Sequence, residues 1–201
     1  MDKKIAIRCN GCTKEFEIPV YQTINAQFDQ ELKRQIIRGD LFANTCPNCG
    51  TVNYSLYNVL YNDMENQVMI RFTTGNVQEE INNFAYSEEF VEELGILKQA
   101  LKGYQYRFID DPFKFAEVVD IFDAGYDDRV IQLYKVLVAH DYYHDNNERS
   151  TSIDFDYNDG TGKYVFLVMK DDELLAMSDF DSSIYNGLEK NYRPYFEKAN
   201  E

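Results

Sequence analysis

Cys9-Asn10-Gly11-Cys12 and Cys46-Pro47-Asn48-Cys49 hold all four cysteines of the 201-residue chain. Two residues separate the thiols of each pair, so both sulfurs of a pair can reach one cation. Two such pairs complete a tetrahedral zinc site at Cys9, Cys12, Cys46 and Cys49. In the second pair Pro47 stiffens the turn, and Gly50 permits the positive φ that lets backbone N–H groups point at sulfur. The first pair carries Gly11 inside it and Thr13 where a glycine would help. A redox dithiol also uses this spacing, but usually as a single pair opening a helix after a strand. Four unliganded cysteines would make the matched spacing a coincidence. Four thiolates leave no coordination position for water, so the expected zinc is structural rather than catalytic.

The 33 residues between the pairs exceed the usual ribbon gap of about 15–20, and an inserted helix accounts for the excess. Alternation predicts strands over 3–8 and 14–22, with Phe16, Ile18 and Val20 on one face. A helix over about 30–38 follows, with Asp29 as N-cap and Gly39 at its C-terminus. Val52, Tyr54 and Leu56 alternate in a strand running to about Tyr61, Asn62-Asp63 turns the chain, and 68–72 returns as a strand. Residues 1–72 therefore read as a zinc-ribbon-like β module with an inserted helix.

Residues 73–201 read as a second, α+β lobe. Residues 73–86 give no clear signal. Ser87 and the acids after it start a helix that ends near Gly103, and 104–109 form a strand. Asp111-Pro112 opens a helix that Gly125 stops, and another begins near Asp127, so the two should pack as a helical hairpin. Ile153–Tyr157 and Tyr164–Met169 form a β-hairpin around Asn158-Asp159-Gly160, and Leu174–Met177 adds a strand. Asp181 or Ser182 caps a last amphipathic helix that Pro194 should end or kink. The fold class is α+β in two domains, 1–72 and 73–201.

Charge divides the chain at the same place. Residues 1–72 hold eight basic and eight acidic residues, and 73–201 hold twelve and twenty-seven, which accounts for the whole net charge of −15. A nucleic-acid surface needs a basic patch. The candidates are Lys33, Arg34 and Arg38 on the first helix, supported by Lys3, Lys4 and Arg8; three such charges usually mark a solvated face. No apolar run spans a bilayer, no export signal is visible, and free thiols suit a reducing compartment, so a cytoplasmic protein is expected.

Two further motifs suggest metal chemistry without completing it. His140 and His144 stand at i and i+4, as in HExxH, but Asp141 replaces the glutamate and no third ligand follows. Asp154 to Gly160 has acids in the manner of a calcium loop, yet glycine falls seventh and Val165 stands where glutamate is required. An acidic hairpin accounts for it.

The chain resembles the CpXC family, bacterial and archaeal proteins named for two Cys-Pro-x-Cys motifs. The resemblance rests on Cys9 and Cys12, Tyr21-Gln22-Thr23-Ile24-Asn25, a helix ending at Gly39-Asp40-Leu41, Cys46-Pro47-Asn48-Cys49-Gly50 and Leu60-Tyr61-Asn62-Asp63. Residues Ile121-Phe122-Asp123-Ala124-Gly125-Tyr126-Asp127-Asp128-Arg129-Val130-Ile131 are similar to a downstream segment of longer members. The first pair departs from the motif by lacking proline. The resemblance implies a zinc-ribbon-like module fused to an α+β lobe and brings no activity with it. The expected function is a zinc-stabilised, non-enzymatic protein-interaction module whose partner is another protein. A nucleic-acid-associated ribbon, a hydrolase built on His140 and His144, and an acidic nucleic-acid mimic are the alternatives.

Overall fold

Short hairpins and longer sheets alternate along the chain, because the apolar alternation that makes strands is repeatedly broken by turn residues. The computed structural model describes residues 3–86 and 103–199 and is of mixed α+β class. The first hairpin joins β1 (Lys3–Arg8) to β2 (Glu15–Val20), with Ile5 opposite Ile18 and Ile7 opposite Phe16. The expected strand over 14–22 ends earlier. Its continuation, β3 (Thr23–Asn25), leaves the hairpin and joins another sheet.

Helix α1 (Gln30–Ile37) follows, closed by Gly39 at φ 75°. Asp29 stands at its N-cap position but makes no side-chain cap; its carboxylate turns back to accept from the Asn25 N–H at 2.8 Å. The second hairpin pairs β4 (Ala43–Thr45) with β5 (Val52–Tyr54). The strand expected to run from 52 to 61 is broken here. Ser55 N donates to Phe42 O and ends the hairpin, and the chain restarts as β6 (Val59–Asp63). Asp63 lies on the strand, with its Oδ1 accepting from the N–H groups of Glu65 and Asn66 in the turn beyond.

β6 lies parallel to β3 and antiparallel to β7 (Val68–Phe72), and β7 runs parallel to β8 (Gln105–Ile109), giving the order β3-β6-β7-β8. Val59, Tyr61, Val68, Ile70 and Phe72 are buried. Between β7 and β8 lies α2 (Val77–Tyr86), where the sequence pattern was silent. The helix expected from Ser87 lies outside the described residues. Asp111 caps α3 (Pro112–Asp123) as expected, accepting from the N–H groups of Phe113 and Lys114 at 2.8 and 3.2 Å. Phe115 on that helix stacks on Phe72 with ring centroids 5.4 Å apart.

By internal packing the chain divides into units 1–119 and 120–201. The division falls later than the charge shift at residue 72 because β8 hydrogen-bonds to β7 and Phe115 closes the core over it. Charge follows solvent exposure, whereas the compact unit follows strand pairing.

In the second unit, β9 (Ser152–Asn158), β10 (Lys163–Lys170) and β11 (Glu173–Asp179) form an antiparallel sheet in the order β11-β10-β9. Helix α4 (Asp128–Asn146) lies against β9, β10 and the last helix, α5 (Ser182–Ala199). The expected helical hairpin is reduced to its corner: Ile121 meets Val130, Ile131 and Tyr134 in the core, while α4 lies along α5. With no tryptophan in the chain, Tyr134, Phe155, Phe166 and Tyr185 fill this core. Two of these tyrosines also cap helices. Asp127 N donates to Tyr185 Oη at 2.9 Å, and Asp181 N donates to Tyr134 Oη at 3.2 Å. Each helix thus supplies the hydroxyl that satisfies the start of the other.

Pro194 does not end α5, which continues to Ala199. An interior proline removes one helical hydrogen bond at a cost of about 3 kcal/mol. Phe196 packs on the core beyond it, with the Arg129 guanidinium 4.5 Å from its ring centroid, and this anchorage holds the last turns in place.

Candidate metal centre

The turns of the β1–β2 and β4–β5 hairpins are built alike. Cys9 N donates to Lys14 O and Thr13 N to Cys9 O; Cys46 N donates to Thr51 O and Gly50 N to Cys46 O, each at 2.9 Å. Thr13 and Gly50 are therefore equivalent positions, and both are left-handed, at φ 61° and 76°. Glycine adopts that conformation freely, whereas β-branched threonine does so under strain. The hydrogen-bond scheme demands the positive φ whichever residue occupies the position.

The two turns face each other. Cys9 Sγ lies 3.6 Å from Cys49 Sγ, and Cys12 Sγ lies 3.8 Å from Cys46 Sγ. All four sulfurs lie within 4.8 Å of one another. A disulfide requires about 2.05 Å, so these are free thiols. Four sulfurs held tetrahedrally at about 2.3 Å from a cation stand about 3.8 Å apart. The spacing matches that requirement, and the cluster is positioned to hold a metal ion.

The surroundings pull the sulfurs in opposite directions. Hydrogen bonding, led by the backbone N–H of Cys12, lowers the Cys9 pKa to about 6. Burial pushes Cys46 up to about 11, and the Thr51 hydroxyl lowers Cys49. A bound cation deprotonates every sulfur it coordinates, whatever these local differences.

Asn53 ties the two turns together, and sequence inspection missed it. From β5 it reaches the first turn: its Oδ1 accepts from Asn10 N at 2.8 Å. Its Nδ2 donates to Thr51 O at 2.9 Å and lies 3.7 Å from Cys9 Sγ. The residue is buried. The available signal was a polar residue at the inward position of a short strand just past a cysteine turn. This contact also accounts for the missing proline, because Asn10 must supply an N–H that proline lacks. Lys14 Nζ adds a second bridge, donating to Asn48 Oδ1 at 2.7 Å.

The other expected sites do not converge. Arg34 pairs with Glu31 at 2.9 Å, and Arg38 pairs with Asp40 at 3.0 Å and with Glu31 at 3.3 Å. Much of the basic face is thus paired locally, in the helix and just past its C-terminus; Asp40 raises the Arg38 pKa and Arg34 lowers that of Glu31. His140 and His144 are exposed on α4, each with Nδ1 facing the aspartate next in sequence, at 3.2 and 3.4 Å. Among the described residues, no cluster of three or more metal-ligating side chains includes them. Asp154 and Asp156 lie on β9, paired with Leu167 and Val165 of β10, in a hairpin rather than a calcium loop.

The family model described as CpXC protein matches residues 7–135, spanning both cysteine pairs. The chain belongs to the CpXC family. No curated protein and no solved structure matches it. The match covers more of the chain than the cysteine turns alone, reaching through the first unit into α4 of this CpXC protein. No helix among the described residues is long and apolar enough to cross a membrane.

Proposed function

We propose that Cys9, Cys12, Cys46 and Cys49 hold a structural zinc ion in a zinc-ribbon-like module, and that this CpXC protein is a non-enzymatic interaction protein whose partner is another protein. The observation that carries the metal assignment is the set of Sγ–Sγ distances, which match a tetrahedral thiolate sphere with no position left for water. Zinc, which is redox-inert, is favoured over iron because a clamp needs no electron transfer. The bound ion would supply folding energy by tying together hairpins that are marginal alone. The free thiols suit the reducing cytoplasm.

Metal analysis of protein purified without added metal tests this assignment. One equivalent of colourless zinc, lost when Cys9 and Cys46 are replaced by serine, is expected. A red, visible-absorbing iron form would overturn the zinc assignment, and a metal retained without the cysteines would overturn the site. A nucleic-acid role is the weaker alternative, since Arg34 and Arg38 already have acidic partners. Filter binding at low salt decides it, and retention of nucleic acid would reverse the order of the two readings.

A further inference from the structure

We propose that the open edge of β11 is a docking site for an extended, cationic segment of the partner protein, which adds to the sheet as a fourth strand. This rests on the interaction reading above and assigns it a surface. A groove of about 560 Å³ runs beside β11, bounded by α4 and the start of α5. Ala176, Met177, Ser178 and Asp179 line it in succession. Val168 of β10 and Val138 of α4 also line it, so the groove opens from between the sheet and α4 past the strand at its border, β11. Among the described residues β11 is paired on one side alone, with β10.

The two edges of this sheet differ. β9 carries Asp154 and Asp156 in its middle, the usual guard against unwanted pairing. β11 shifts register against β10 at Leu175, but the run Leu174-Leu175-Ala176-Met177-Ser178 has no charge, and Leu174 and Met177 are about half exposed. From the helices, Leu137 and Ile184 add exposed apolar surface to the groove. A strand laid here would find hydrogen-bonding groups along one side and apolar contacts for alternate side chains.

Charge defines the rest of the occupant. Asp141, Asp145 and Asp179 stand around the groove, in a unit whose residues 120–201 include eighteen acidic and eight basic residues. Asp141 and Asp145 lie one turn apart in the last turns of α4. Like charges at that spacing repel, and the helix C-terminus disfavours both. Both carboxylates are exposed beside the strand edge, each faced among the described residues only by the histidine before it in sequence, and are open to a cationic segment. Alternating apolar and basic residues satisfy the edge, the apolar surface and the acids together.

Titration of the isotope-labelled full chain with an end-blocked peptide of alternating lysine and valine tests this, the peptide being about as long as the seven-residue β11. Amide shifts confined to 174–179 and the facing turns of α4 are expected, with affinity falling about tenfold from low to physiological salt. Asp141→Asn with Asp145→Asn should weaken binding about fivefold or more without lowering the melting temperature. A glutamate-for-lysine peptide should not bind, and a peptide N-methylated along one edge should lose affinity. Equal binding by either control, or shifts mapping to another surface, would overturn the proposal. So would a dimer of the free chain paired through β11, which would make the occupant a second copy. If β11 stays silent while cross-linking in native extract joins a protein to another face, the groove is wrong and the interaction reading stands. If neither is seen, both fall.

Discussion

A methyl group on Gly11 would lie 2.3 Å from Thr51 Oγ1 and 3.0 Å from Thr51 Cβ. Threonine is branched at Cβ and cannot easily swing clear, so the two cysteine turns pack directly against each other as well as sharing the sulfur cluster. Gly11→Ala should destabilise the first unit by about 1–3 kcal/mol, the usual range for overpacking. Thr51→Ala in the same chain should recover part of that loss, and a denaturant double-mutant cycle reads the coupling. Thr13 gives the opposite expectation. Thr13→Gly relieves a left-handed β-branched residue, partly offset by greater freedom of the unfolded chain, and should stabilise by about 0.5–1 kcal/mol in the same assay. Asn53 extends the lesson beyond the ligands: a buried amide holds the first turn through a backbone N–H, which is why a proline-free turn keeps its shape.

Among the elements, the reciprocal caps of α4 and α5 yield two expectations. Tyr134→Phe and Tyr185→Phe each remove one hydroxyl from a helix start while leaving the ring packed. Each should cost about 1 kcal/mol in thermal or chemical unfolding. Asp181 caps α5 through Ser183, whose hydrogen bonds depress its pKa. Its contribution is therefore full above the ordinary aspartate range and is lost as pH falls through the depressed folded value. The melting-temperature gap between the native chain and Asp181→Ala should be widest at neutral pH and close in acid. Caps, glycines and alternation are local signals, which is why the first cysteine hairpin, α1, α3, α4 and the β9–β11 meander were legible in the sequence. What was not legible depends on distant partners. β3 is three residues long and exists because β6 lies beside it, and β8, though expected as a strand, could not be assigned its distant partner β7. Likewise α5 passes through Pro194, with Phe196 and Arg129 anchoring the turns beyond it. The cysteines could be grouped from their spacing alone, whereas Asn53 could be placed only once the two turns faced each other.

At the scale of the whole molecule, all four cysteines lie in the unit 1–119, and the unit 120–201 has its own aromatic core. If the cluster holds the proposed ion, a strong chelator should collapse amide signals of β1, β2, β4 and β5, since two-stranded hairpins are marginal alone. Signals of β9–β11 and α4 should persist. Uniform loss across both units in two-dimensional spectra would refute this independence. A cell starved of the ion would then not lose the protein as a whole. Its proteases would find the loosened cysteine hairpins first, and a stable acidic fragment that retains residues 120–201 would accumulate as the signature of metal scarcity.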